Sequence, residues 1–254
     1  MLMNKWHILP LSLADQQRHI DQSELLLRTI EPWHLATLYW SMAEPEGLVL
    51  GFSQKEEILN QETVARLQMP IYRRRAGGTA VLVGPHLLSL DVVLPAGHPL
   101  LLADVVKSYQ WLGEAWVEAL RPLGVDARTV PPQEAHEQRS LLQQPETQAR
   151  ERLLRRACYG SILPYEVVGR ERKIVGLDMI RRRAGSVLQA GVLLQWETET
   201  LAQLLGQTVE EQSLLEVGLL DRAVGLDRLT GRAASAAEVI AAFEEVIFSM
   251  DQVR

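Results

Sequence analysis

Between residues 34 and 94 the apolar residues come in short blocks, at 34–40, 48–52, 71–74, 79–83 and 87–94, separated by turn residues. Blocks of this length suit strands rather than helices, because a few extended residues are enough to cross a core. A further strand-like block lies at 6–9. The pattern predicts a mostly antiparallel sheet. A chain of 254 residues with 47% hydrophobic content can bury such a sheet in a sizeable core.

Helical spacing surrounds the blocks. Ile20, Leu25, Leu27 and Ile30 among polar neighbours predict a helix over 15–30. Val105, Tyr109, Leu112, Trp116 and Leu120 recur every three or four residues and line one face of a helix that ends near Pro122 and Gly124. Ser235 and Glu238 have capping-box spacing ahead of Val239, Phe243, Val246, Ile247 and Met250, so an amphipathic helix closes a helical segment that starts near residue 197. Residues 130–150 carry Pro131, Pro132, Pro145 and many glutamines with few apolar positions, which predicts a mobile loop or a weakly held helix. The strand-like blocks on either side of that stretch are incomplete alone, so residues 1–254 read as one α+β domain. The pentapeptide Arg-Arg-Arg-Ala-Gly occurs at 73–77 and again at 181–185, but its flanks do not repeat.

A net charge of -6 argues against a general nucleic-acid binder, which is normally basic. The single cysteine, Cys158, rules out an internal disulfide framework and a cysteine-rich metal site, and it fits a reducing compartment. The N-terminus lacks the apolar core of a signal peptide, and no uncharged apolar run reaches membrane-spanning length. The expectation is a cytoplasmic protein with no membrane or nucleic-acid partner and no bound metal.

Two segments can carry chemistry. Arg73-Arg74-Arg75-Ala76-Gly77-Gly78-Thr79-Ala80-Val81 places two glycines between an arginine-bearing strand and an apolar one. Glycine permits positive φ and lets a ligand approach backbone N–H groups, while arginine neutralises phosphate or carboxylate, so the segment suits an anion or acyl-carbonyl cradle. A tight turn beside a solvated arginine strand fits the residues as well. The spacing is neither that of a Walker A loop nor that of a dinucleotide fingerprint. In the second segment Lys173 follows Cys158 after one strand-like stretch, 165–168, and a turn near 169–171. A thiolate attacks thioesters, nearby cations (Arg155, Arg156 and Lys173) favour it, and an ammonium beside a carbonyl stabilises the oxyanion. A small buried thiol and a solvated lysine are the alternative. The run from Ser186 to Trp196 reads as the buried second strand of a hairpin.

Together these segments resemble the lipoate/biotin protein ligase superfamily. The 73–81 segment resembles its arginine, Gly-Gly, Ala-Val motif, Arg172-Lys173-Ile174-Val175-Gly176 resembles its lysine motif, and Leu38-Tyr39-Trp40 followed by Leu48-Val49-Leu50-Gly51-Phe52-Ser53-Gln54 resembles the preceding strand pair. The resemblance implies an α+β fold of the class II aminoacyl-tRNA synthetase/biotin synthetase type, with a central mixed, mostly antiparallel sheet flanked by helices. It implies an acyl tunnel, with Lys173 at the family's active-site lysine. Cys158 with Tyr165-Glu166 is most similar to the cysteine-dependent octanoyltransferase branch, which passes the acyl group through an enzyme thioester. The implied catalytic residues are Cys158 and Lys173. The implied substrate-binding residues are Arg73, Arg74, Gly77, Gly78, Thr79, Ala80, Val81, His86, Val175, Gly176, Ala190 and Gly191. The implied partners are lipoyl carrier domains, in the glycine cleavage H protein or the E2 component of 2-oxoacid dehydrogenases, with acyl carrier protein as a donor. No cofactor is tightly bound on this reading; ATP with magnesium enters only in the alternative, ligation of free lipoate through an acyl-adenylate.

Three positions depart from the family pattern. Val83-Gly84 replace a His-Asp pair, Leu177-Asp178-Met179 replace Ser-Ala-Gln, and Ala190 stands where histidine is common. They motivate a third reading, a binder of acyl groups or lipoyl domains without the chemistry.

Overall fold

The computed structural model describes residues 6–252, without the side chains of 251 and 252. Residues 1–5, which bore on the reading of the N-terminus, and 253–254 lie outside them. The apolar blocks become the strands β1 (Trp6–Ala14), β2 (Ala36–Ala43), β3 (Gly47–Leu50), β4 (Ile71–Arg73), β5 (Val81–Val83) and β6 (Leu87–Pro95). The later strands are β7 (Ala127–Thr129), β8 (Val167–Gly169), β9 (Arg172–Arg181) and β10 (Gly185–Leu193). The helices are α1 (Gln16–Thr29), α2 (Gln61–Leu67), α3 (Gln110–Leu120), α4 (Pro132–Ser140), α5 (Pro145–Leu154), α6 (Glu199–Leu205), α7 (Val209–Arg222), α8 (Leu226–Thr230) and α9 (Ala236–Gln252).

The strands form two sheets rather than one. Seven strands pair in the order β1-β2-β6-β10-β9-β8-β7, and β4-β3-β5 form a smaller sheet that carries the glycine turn. All neighbours in the large sheet are antiparallel except β1 and β2. The β8–β9 hairpin turns through Arg170 and Glu171, both with positive φ.

Side chains alternate across a strand, and β10 shows what each face of the large sheet does. Leu188, Ala190 and Val192 join the main core, where α3 and α9 cover the sheet. Trp116 of α3 and Phe243 of α9 stack there with ring centroids 4.3 Å apart, and Trp40 of β2 meets both edge-on. Val187, Gln189 and Gly191 point to the opposite face, toward α1 and the small sheet. A cavity lies on that second face.

Two sequence expectations are refined. The helix expected from Val105 begins at Gln110, because the Asp104 carboxylate accepts from the backbone N–H of Val106 and Lys107 and holds a turn there. Of the two readings of residues 130–150 the structure takes the helical one: α4 and α5 each open on a proline, where the missing N–H has no cost, and Leu153, Leu154 and Glu151 are buried. Glu151 is tolerated inside because it pairs with Arg222 of α7.

Candidate active site

The two candidate segments are joined by backbone. The Ala80 N–H donates to the Arg156 carbonyl at 3.0 Å, and the Cys158 N–H donates to the Ala80 carbonyl at 2.7 Å. This parallel bridge sets the glycine turn against the cysteine turn. Gly78 adopts φ +82°, which the turn requires, and Arg74 folds back along it, donating from Nε to the Gly77 carbonyl at 2.9 Å and from Nη2 to the Thr79 carbonyl at 3.1 Å.

The arginines therefore serve the loop more than an anion. Arg73 donates to the carbonyls of Gly51 and Gln54 and lies 3.6 Å from Glu56. Arg75 pairs with Glu24 of α1 at 3.3 Å. Arg74 Nε lies 3.7 Å from Asp178, whose carboxyl is pushed up by burial against the pull of Arg74.

Lys173 holds the cysteine turn from below. Its Nζ lies 2.7 Å from Glu166 Oε1, 3.1 Å from the Cys158 carbonyl and 3.2 Å from the Ser161 carbonyl. An ammonium has three donors, and three acceptors surround this one. Glu166 also accepts from the backbone N–H of Leu163 at 2.7 Å and of Leu177 at 3.1 Å. Burial pushes its carboxyl above the usual range, and the Lys173 ammonium is the main force against that. Tyr159 completes the floor: its hydroxyl donates to the Gly191 carbonyl at 2.7 Å and its ring lies 5.0 Å from Lys173 Nζ.

Gly176 and Gly191 face each other across β9 and β10. A Cβ at Gly176 would come 3.1 Å from Lys173 Cε, and one at Gly191 would come 2.9 Å from the Tyr159 hydroxyl. The glycine pair is a notch into which the lysine and tyrosine fit.

Above this floor lies a cavity of about 320 Å³ bounded by α1, β5, β6, β9, β10 and the two turns. Of the residues proposed from the sequence, Cys158, Lys173, Arg74, Gly78, Thr79, Val81, Gly176, Ala190 and Gly191 border it. Arg73, Gly77, Ala80, His86 and Val175 do not. Ala80 is sealed in the bridge, and Val175 points into the main core on the far face of β9. His86 sits in the β5–β6 turn, with Nε2 at 3.0 Å from the Leu82 carbonyl and Nδ1 at 3.4 Å from Glu46. The residues missed include Tyr159, Glu166, Asp178, Gln189 and Asp91, and from α1 His19 and Ser23. Asp91 carried a signal, a lone charge inside an apolar strand; the α1 residues carried none. Among the described residues no group of three or more His, Cys, Asp or Glu side chains is arranged to hold a metal ion, and no helix is long and apolar enough to cross a membrane.

Residues 15–248 match the model of the lipoyl protein ligase A/B catalytic domain family. Octanoyltransferase LipM of Exiguobacterium sp. (strain ATCC BAA-1283 / AT1b) is 28% identical over 243 residues, covering 94% of this chain and 84% of that protein. Octanoyltransferase LipM of Kyrpidia tusciae is 31% identical over 205 residues, covering 80% of this chain and 70% of that protein. Among solved structures, the bipartite lipoate protein ligase of Thermoplasma acidophilum superposes with a TM-score of 0.73 at 18% identity, covering 94% of this chain and 80% of that one. Lipoate-protein ligase A bound with ATP gives 0.69 at 18% identity, covering 95% and 82%. With two sheets, a cysteine turn pinned to a glycine turn and a family match across nearly all of its length, this chain belongs to the lipoyl protein ligase A/B catalytic domain family.

Proposed function

We propose that this protein transfers an octanoyl group from a thioester donor to a lysine of a lipoyl carrier domain through a thioester on Cys158. The observation that carries the reading is the placement of Cys158: it borders the cavity while its backbone is fixed on one side by Ala80 and on the other by Lys173 Nζ at 3.1 Å. Relatives 28% and 31% identical are octanoyltransferases, which supports the same acyl group here.

In the first step the Cys158 thiolate attacks the donor carbonyl, the carbonyl electrons move to oxygen, and the donor thiolate leaves and takes up a proton. In the second step the neutral ε-amine of the carrier lysine attacks the enzyme thioester, an amide forms, and the Cys158 sulfur leaves and recovers its electron pair. The amine loses one proton to solvent or to the departing sulfur. The backbone at Gly78 borders the cavity on the side where the oxyanion forms, and Lys173 holds the cysteine turn beneath it. The carriers of this class are glycine cleavage H protein and the E2 component of 2-oxoacid dehydrogenases, and acyl carrier protein is the donor. Neither step consumes a nucleotide. A free thiol nucleophile suits the reducing cytoplasm.

The test is intact-mass analysis of the purified protein with octanoyl-loaded acyl carrier protein, followed by addition of a lipoyl domain. An octanoyl adduct on the protein that then moves to the lipoyl domain is the expected result. A Cys158→Ser variant that transfers at the wild-type rate, or labelling that requires free lipoate with ATP, would overturn the reading. Binding of the lipoyl domain with no transfer from either donor identifies a non-catalytic family member.

A further inference from the structure

A carrier lysine arrives in water as an ammonium and must lose a proton before it can attack a thioester, so the second transfer step calls for a base. The carboxyl and imidazole groups that border the cavity are Glu24, Asp91, Glu166, Asp178 and His19. Four of them are engaged. Glu24 pairs with Arg75 at 3.3 Å, and Glu166 holds Lys173 and two backbone N–H groups. His19 Nε2 lies 3.0 Å from the Met42 carbonyl, so that nitrogen carries the proton, and Nδ1 accepts from the Tyr39 hydroxyl at 2.8 Å. Asp91 accepts from Gln189 Nε2 on Oδ1 at 2.8 Å, and its Oδ2 meets the Ser23 hydroxyl, which also lies 2.9 Å from the His19 carbonyl. A hydroxyl has one proton, so these groups are satisfied together when Asp91 is protonated and donates to Ser23, and burial acts in the same direction.

Asp178 is the exception. It lies opposite Gln189 of β10, and its side chain is 27% exposed. Oδ1 accepts from the N–H of Met179 at 2.8 Å, and Oδ2 has no hydrogen bond. Arg74 Nε, 3.7 Å from Oδ2, donates to the Gly77 carbonyl instead. An ionised carboxylate has room for about four hydrogen bonds, so acceptor capacity remains here. Arg74 from the glycine turn and Lys173 from β9 favour the charged form against burial, and after burial the Asp178 charge adds to the upward push on the Tyr109 hydroxyl.

Two contacts place this carboxyl at the reacting end of the cavity. A Cβ at Gly78 would come 3.7 Å from Asp178 Oδ2, and Gly78 is two residues from Ala80, whose carbonyl accepts from the Cys158 N–H at 2.7 Å. Along β9, Asp178 is two residues, roughly 7 Å, from Gly176, where a Cβ would come 3.6 Å from Cζ of Tyr159, the residue after Cys158. A thioester carbonyl whose oxygen is held at the Gly78 backbone lies between the cysteine turn and Asp178. An amine attacking it from about 3 Å meets that carboxyl.

We infer that Asp178 is the general base of the second step: its carboxylate takes one proton from the ε-ammonium of the carrier lysine, the amine so formed attacks the octanoyl thioester, and a second amine proton leaves with the Cys158 sulfur as the carbon–sulfur bond breaks. Asp178 then returns its proton to solvent. The inference deepens the proposed transfer and rests on it. In this order the carboxyl is neutral while the oxyanion forms beside Gly78 and does not oppose that charge. The departure from the family pattern at Leu177-Asp178-Met179 thereby supplies a group to the reaction.

Octanoyl-enzyme made from the full-length protein with octanoyl-pantetheine, freed of donor and mixed with a lipoyl domain, isolates the second step, and intact mass follows it. Wild-type transfer should be level from about pH 6 to about pH 9, where carboxylate and ammonium are both the reactive forms. Asp178→Asn should transfer about 100-fold more slowly near pH 7. Its rate should rise about tenfold per pH unit, because it depends on free lysine amine, which titrates near pH 10.4. Hydroxylamine, already a neutral amine, should remove the octanoyl group from both proteins at equal rates, which a merely structural loss would not allow. Transfer by Asp178→Asn at the wild-type rate overturns the assignment alone, as does an equal loss toward hydroxylamine or a wild-type rate that climbs tenfold per pH unit. Absence of an octanoyl adduct on the wild-type protein overturns the reading of the site and the base with it. If Asp178→Asn does not fold, the wild-type pH profile decides.

Discussion

Lys173 Nζ lies 2.7 Å from Glu166 Oε1, with both side chains 1% exposed, and the same nitrogen holds the carbonyl of Cys158. Lys173 thus acts on the backbone of Cys158, and Glu166 fixes the lysine. Removing one partner leaves the other charge buried and unpaired. Glu166→Leu or Lys173→Met should each cost about 3–5 kcal/mol, and the double variant less than the sum of the two. Urea denaturation of the three variants measures it. Additive losses would show that the pair is not coupled.

Stability at the α1 face should depend on pH through Asp91. Its folded pKa is raised by burial, so its contribution is complete below about pH 3.9, the free carboxyl value, and is lost as pH rises through the folded value. Asn keeps the neutral hydrogen-bonding pattern at every pH. The difference in Tm between Asp91→Asn and wild type should be smallest near pH 4 and grow in favour of Asn toward neutrality. A difference that is flat across this range contradicts a neutral Asp91.

The glycine notch should be sensitive to a single methyl. At Gly191 a Cβ would come 2.9 Å from the Tyr159 hydroxyl, so Gly191→Ala must displace it from the Gly191 carbonyl. The expected cost is about 1–3 kcal/mol. Tyr159→Phe removes the offending oxygen at about 1 kcal/mol for the lost hydrogen bond. Combining the two should cost less than their sum, and a thermal-melt cycle reads the coupling directly.

The last helix depends on its cap. Glu238 N–H donates to Ser235 Oγ at 3.2 Å and Ser235 N–H donates to Glu238 Oε2 at 3.0 Å. Ser235→Ala should cost about 1 kcal/mol and Ser235→Asp much less. Because α9 carries Phe243 into the aromatic core, fluorescence of Trp116 should follow the same transition. An unchanged midpoint for Ser235→Ala would mean that the cap contributes nothing.

Local rules located most strands, because each block at 34–94 needs only its own apolar residues and flanking turns. The capping box at Ser235 was legible for the same reason. Prolines 132 and 145 left loop and helix both open: proline interrupts a helix interior but suits its first turn, and the burial of Ala135 in α4 and of Glu151, Leu153 and Leu154 in α5 decides between the two. In the site, motif order singled out Cys158 and Lys173 as candidates, but not that the lysine's donors turn to carbonyls and to Glu166. His86 lay close in sequence to the glycine turn yet bonds back to Leu82 and Glu46. His19 and Ser23 reach the cavity only because α1 lies over β6 and β10, a packing that no local pattern announces.

The bridge between Ala80 and Cys158 bears on how losses of activity are to be interpreted. The gap between Cys158 and the glycine turn is set by main-chain atoms, so no side-chain replacement at 74–79 lengthens it while the Cys158 N–H to Ala80 carbonyl bond of 2.7 Å persists. The two turns behave as one jaw. A variant of Arg74 or Thr79 that is folded but slow reports a change in the jaw's inner surface, and amide exchange at Cys158 distinguishes that from a jaw that has come apart.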